Sequence, residues 1–176
     1  MIVVALAVLF VGCPARSIFP LFGEKDLVFN PSLVGTWVGE NEKETYTFQP
    51  SKEKSYNVIV RDKKGDTATF TAQLGRLGPF WFLDSYPAKE AHEYHMIRTH
   101  VISGIRLDGD SLSISSLEGD WLKNMTESGK LKIPHVTLKN DFILTASTEE
   151  LQQLVLRFAQ DSNAFPEHKG KLSRVK

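Results

Sequence analysis

The chain has 176 residues, 41% of them hydrophobic and 24% charged, which suits one domain with a sizeable core and leaves little room for a second. Lys+Arg and Asp+Glu both number 21, so no bulk charge draws it to nucleic acid. A single cysteine excludes an internal disulfide, and a structural zinc site would have to be built largely from histidines.

Residues 1–12 carry no charged side chain and have the length of a signal h-region, too short to cross a bilayer as a helix. Cys13 follows directly. The segment Leu9-Phe10-Val11-Gly12-Cys13 resembles the lipobox of bacterial lipoproteins, in which a small residue precedes a Cys that is acylated and becomes residue one. Phe10 stands where Leu is usual, and no Lys or Arg precedes the apolar run. The resemblance implies a cleaved signal peptide over 1–12, Cys13 as the lipid (palmitate) attachment site, and the membrane as a partner through that anchor. Pro14 is not the Asp that retains such proteins at the inner membrane, so the implied destination is the outer membrane. The competing reading makes residues 2–12 a buried strand or helix, with Cys13 an inert core thiol.

Residues 13–32, with Pro14, Pro20, Gly23 and Pro31, read as an irregular tether leading to a domain over 33–176. The domain begins β-rich. Leu33 to Gly39 forms a first strand, and Thr45 to Gln49 a second with Tyr46 and Phe48 on one face. Tyr56, Val58 and Val60 alternate with polar residues, Asp62-Lys63-Lys64-Gly65 turns, and Ala68, Phe70, Ala72 and Leu74 alternate with Thr67, Thr69, Thr71 and Gln73. Phe80-Trp81-Phe82-Leu83 is apolar on both parities, which predicts a buried strand or one whose outer face is covered by another segment. An extended segment runs from Glu93 to Leu107, and Asp108-Gly109 between Leu107 and Leu112 signals a hairpin. Glu118 to Met125 suits a short helix, Leu131 to Leu138 and Phe142 to Thr145 suit one or two further strands. Ser147-Thr148-Glu149-Glu150 is a capping box that opens a helix over about 148–159, with Leu151, Leu154, Val155 and Phe158 as its apolar stripe. The basic residues Lys169, Lys171, Arg174 and Lys176 read as a solvated chain end.

His92, His95 and His100 look at a glance like a metal cluster. On a strand His95 faces away from the other two, and His92 and His100 stand about 26 Å apart, so no metal site is expected. No Gly-x-Ser-x-Gly elbow, Gly-rich phosphate cradle or separated carboxylate pair is present, so neither an enzyme nor a cofactor is expected. The aromatic residues carry more. Tyr46, Phe48, Tyr56, Phe70, Phe80 and Phe82 fall on successive strands and are candidates to line a pocket for an apolar ligand; the competing reading has them fill the core, and a barrel of about eight strands permits both.

At Gly35-Thr36-Trp37, a Gly-x-Trp opening the first strand ahead of a meander and a late helix resembles lipocalins. In that family the Trp closes one end of the barrel, often packed on a basic side chain, so the resemblance implies structural roles for Gly35 and Trp37. The second lipocalin motif, a Thr-Asp-Tyr-type turn, has no counterpart. The whole chain also resembles uncharacterised bacterial lipoproteins of this size, which implies no activity. The expected fold is mainly β, an antiparallel up-and-down barrel or sandwich of about eight strands with a C-terminal amphipathic helix packed on it. Two functions follow as expectations: an exported, lipid-anchored envelope protein holding a small hydrophobic ligand, or a non-catalytic structural or protein-interaction lipoprotein with a solid core.

Overall fold

A computed structural model describes residues 13–39, 44–88, 97–139, 141–166 and 171–176. In chain order its elements are β1 (Arg16–Ser17), β2 (Gly35–Gly39), β3 (Glu44–Pro50), β4 (Ser55–Asp62), β5 (Thr67–Leu77), β6 (Phe80–Pro87), β7 (His100–Asp108), β8 (Ser111–Ser116), α1 (Gly119–Glu127), β9 (His135–Leu138), β10 (Asp141–Leu144), α2 (Thr148–Phe158) and β11 (Lys171–Arg174). Strands β2 to β8 form an antiparallel meander, and β11 slots between β8 and β2 to close it. The result is an eight-stranded antiparallel barrel with a C-terminal helix against it, as the sequence pattern predicts.

Alternation decides which side chains point inward. Trp37, Tyr46, Phe48, Tyr56, Val58, Val60, Ala72, Leu74, Leu83, Leu112, Ile114 and Leu172 form one buried cluster inside the barrel. The opposite parity of β6 and β7 supplies Phe82 and Ile102 to a second cluster on the barrel's outer wall. The double apolar character of Phe80-Trp81-Phe82-Leu83 thus has its predicted cause: one face fills the barrel and the other is covered. The cover comes from α1, α2 and the N-terminal segment. Leu151, Leu154 and Val155 of α2 are buried there, each contributing about 1.5–3 kcal/mol. The predicted capping box starts that helix, with Ser147 Oγ accepting from Glu150 N and Glu150 Oε2 accepting from Ser147 N at 2.8 Å.

The structure departs from these expectations at four points. Residues 14–32 are packed on the barrel instead of forming a loose tether: Ala15, Leu21, Phe22 and Leu27 are buried, and Leu27 bridges Gly75. Gly75 permits this because a Cβ there would overlap the Phe22 ring. The basic chain end is not wholly solvated, since β11 buries Leu172 and puts Arg174 beside Trp37. Finally, β9 and β10 lie outside the barrel, forming with β1 a small flap that continues from the start of β7. The tight turn at Asp108-Gly109 is offset by one residue: Asp108 pairs with Ser111, so Gly109 (φ +54°) and Asp110 are the loop. Gly at the first central position suits a II′ hairpin.

Candidate functional site

The two ends of the barrel differ. At one end the chain enters β2 through a single 3-10 turn, Pro31–Leu33, and the Trp37 indole donates to Leu33 O at 2.9 Å. Trp37 is wholly buried, and the Arg174 guanidinium lies over its ring at 4.2 Å from the centroid. That guanidinium also donates to Val34 O at 2.8 Å and to Ser32 O, and its Nε stands 3.3 Å from the Asp110 carboxylate. One cation therefore ties β11 to the start of β2, and the partly buried cation–π pair adds about 0.5–2 kcal/mol. Gly35 is required here: its φ is +132°, and a Cβ would stand 2.7 Å from Arg174 Nη1. Tyr56 finishes this closed end, stacked on Phe29 at 5.2 Å and exchanging hydrogen bonds with the Asn30 backbone at 2.7 and 3.1 Å.

Beyond Tyr56 the interior is hollow. A cavity of about 140 Å³ reaches toward the end where β6 finishes and β7 begins. Tyr46, Phe48 and Phe70 form its aromatic wall, and Val58, Val60, Leu83, Val101 and Ile114 its aliphatic one. Pro87 and Thr99 stand at its rim. The polar groups are few. Ser103 and Ser116 face each other with Oγ atoms 2.8 Å apart, and Ser85 donates to Val101 O at 3.4 Å. Tyr46 donates its phenolic proton to the Glu44 carboxylate; burial first, then that hydrogen bond and the adjacent negative charge, push its ionisation well above the ordinary value. Burial likewise raises Tyr56, offset in part by its bond to Asn30.

Of the six aromatic residues that the sequence offers as pocket lining, the structure brings Tyr46, Phe48 and Phe70 to the cavity. Tyr56 is inside the barrel but plugs its closed end. Phe80 and Phe82 point outward, a correction with a simple cause: in the β6 register Trp81 and Leu83 hold the inward parity. They line instead an open groove of about 500 Å³ between the outer wall and the residues after α2, which include Phe165. Sequence reading missed the serine pair because Ser103 and Ser116 sit 13 residues apart and become neighbours only through the β7–β8 register.

A second unforeseen pair lies on the outer wall. Asp84 is fully buried, and its carboxylate accepts from Leu21 N at 2.7 Å and stands 2.8 Å from His100 Nδ1. This carboxylate staples the N-terminal segment and β7 to β6. The expectation about His92 and His95 lies outside the described residues; among the described residues no three His, Cys, Asp or Glu side chains are grouped closely enough to hold a metal ion.

Cys13 is exposed, and its carbonyl accepts from Gly119 N at 2.8 Å. Ala15 N donates to Leu117 O at 2.8 Å, and Arg16 pairs with Val101. Cys13 is thus held three residues from a strand whose partner, Val101, lines the cavity. The chain matches no family model, no curated protein and no solved structure.

Proposed function

We infer that this is an exported, lipid-anchored envelope protein of the outer membrane that holds a small apolar molecule inside its barrel. The observation that carries the reading is the apolar cavity of about 140 Å³, close in size to engineered cavities of about 150 Å³ that stay dry and take up benzene. An eight-stranded barrel has room for one such occupant. Trp37 and Arg174 seal one end, and the cavity reaches toward Pro87 and Thr99 at the other. The alternative, an interaction protein with a solid core, drew its motive from the apolar strand at Phe80-Trp81-Phe82-Leu83. That motive weakens in part, because the protein's own helices and N-terminal segment already bury Phe82, while Phe80 and Trp81 remain half-buried along the open groove.

The anchor reading gains a geometric consequence. Three extended residues span at most about 10 Å, so acyl chains on Cys13 would keep the rim at Val101 and Thr99 close to the lipid surface. Ligand would then exchange with the bilayer more readily than with bulk water. The test is native mass spectrometry of protein purified without denaturant, together with the mass of its mature N-terminus. The expected results are an adduct released by organic solvent and a chain beginning at acylated Cys13. A bare barrel would overturn the binding reading, and a chain starting unmodified at Met1 would overturn export and anchoring.

A further inference from the structure

We propose that the molecule held in the barrel carries one oxygen acceptor, a carbonyl or ether oxygen, which takes a hydroxyl proton from the Ser103–Ser116 pair. This rests on the cavity-binding reading above and specifies the ligand class. Two hydroxyls 2.8 Å apart own two protons, and the hydrogen bond between them uses one. The second proton must point elsewhere. Among the described residues neither oxygen has another hydrogen-bond partner, Ser103 is 4% exposed and Ser116 half-buried, and both line the cavity.

The neighbouring polar groups leave that proton without a taker. Tyr46 and Glu44 satisfy one another, and the Ser85 hydroxyl is directed at Val101 O. When the free proton is that of buried Ser103, leaving it unpaired beside Ile114, Leu83 and Val101 is costly, so an occupant that supplies an acceptor is selected over one that does not. Water fits poorly. A buried water wants two to four polar partners, and this cavity offers one polar corner in walls that are otherwise mostly apolar. A compact ketone, lactone or cyclic ether of roughly benzene size answers both demands, its hydrocarbon body against Phe48 and Val58 and its oxygen toward the serines. The ligand's own ability to donate is not called upon.

The pair can be removed without harming the fold, because deleting both partners leaves no orphaned group. The test compares cyclohexanone with methylcyclohexane, near-isosteres that differ in the oxygen, as probes of the full-length protein and of the S103A/S116A double variant by calorimetric titration. The wild type should prefer cyclohexanone after correction for each probe's transfer from water, and the double variant should lose about 5- to 30-fold of that preference while binding the hydrocarbon as well or better. Ser116→Thr, which retains a hydroxyl, should retain the preference. Binding of both probes with an unchanged ratio in the double variant would overturn the oxygen assignment and leave the cavity reading standing. Binding of neither probe would overturn both.

Discussion

Replacing Ala72 by Val separates a hollow barrel from a packed one by the sign of the effect. Ala72 is buried on β5 and its side chain borders the cavity. Valine adds two carbon atoms. If they enter empty space, the gain is about 0.8 kcal/mol for each, or up to ~1.6 kcal/mol in all. If the space is already filled, overpacking costs about 1–3 kcal/mol. Valine also favours strands, so Thr69→Val on the exposed face of the same strand serves as the reference to be subtracted. Urea unfolding gives both values, provided that the slope m is unchanged between variants. The reasoning expects A72V to be more stable than wild type by about 0.5–1.5 kcal/mol after correction. A corrected loss above about 1 kcal/mol would refute it, because that loss is the signature of a core without space.

Arg174→Ala should cost about 2–4 kcal/mol in urea unfolding, since it strips the Trp37 cation–π contact and leaves two carbonyls of the Pro31–Leu33 turn region unpaired; Arg174→Lys should recover less than half, lacking the planar fork. Asp84→Ala should cost about 3–5 kcal/mol, and limited proteolysis should then cut first within residues 14–30, which the carboxylate staples through Leu21. The buried phenols make alkaline stability fall: burial makes Tyr46, and to a lesser degree Tyr56, give up its proton less readily when folded than when unfolded, where the phenol ionises near pH 10. Their contribution is complete below that value and is lost as pH rises beyond it, for the strongly shifted Tyr46 by about 1.4 kcal/mol per pH unit. Tyr46→Phe should flatten that slope by up to about 1.4 kcal/mol per pH unit above pH 10, and an unchanged slope would count against the assignment.

What the sequence reveals depends on how local the signal is. The alternation over Tyr56–Leu74, the capping box at Ser147 and the Gly-x-Trp at Gly35 are each contained in a few neighbouring residues, and each corresponds to an observed element. Strand β11 is invisible by the same standard: Lys171-Leu172-Ser173-Arg174 has one apolar residue and no period, and becomes a strand only because β8 and β2 leave a gap of that width. Arg174 illustrates the point, reading as a solvated terminal charge while its partner Trp37 lies 137 positions earlier. Residues 14–30 read as irregular because Pro14, Pro20 and Gly23 break any period, yet Ala15, Leu21, Phe22 and Leu27 find apolar partners one by one on the outer wall. For the cavity, aromatic content marks the strands but not the parity. The β6 register decides that Phe80 and Phe82 face out, and only the β7–β8 register brings Ser103 and Ser116 to one corner.

The most direct measurement of the central claim is thermal unfolding of the protein with and without benzene, a probe of the cavity's own size. At ten times its dissociation constant a ligand bound only to the folded state adds about 1.4 kcal/mol, which for a chain of this length raises Tm by roughly 3–6 °C. That rise is expected in the wild type and should shrink in A72V. A Tm that benzene leaves unchanged or lowers in both proteins would contradict a hollow, ligand-accepting barrel.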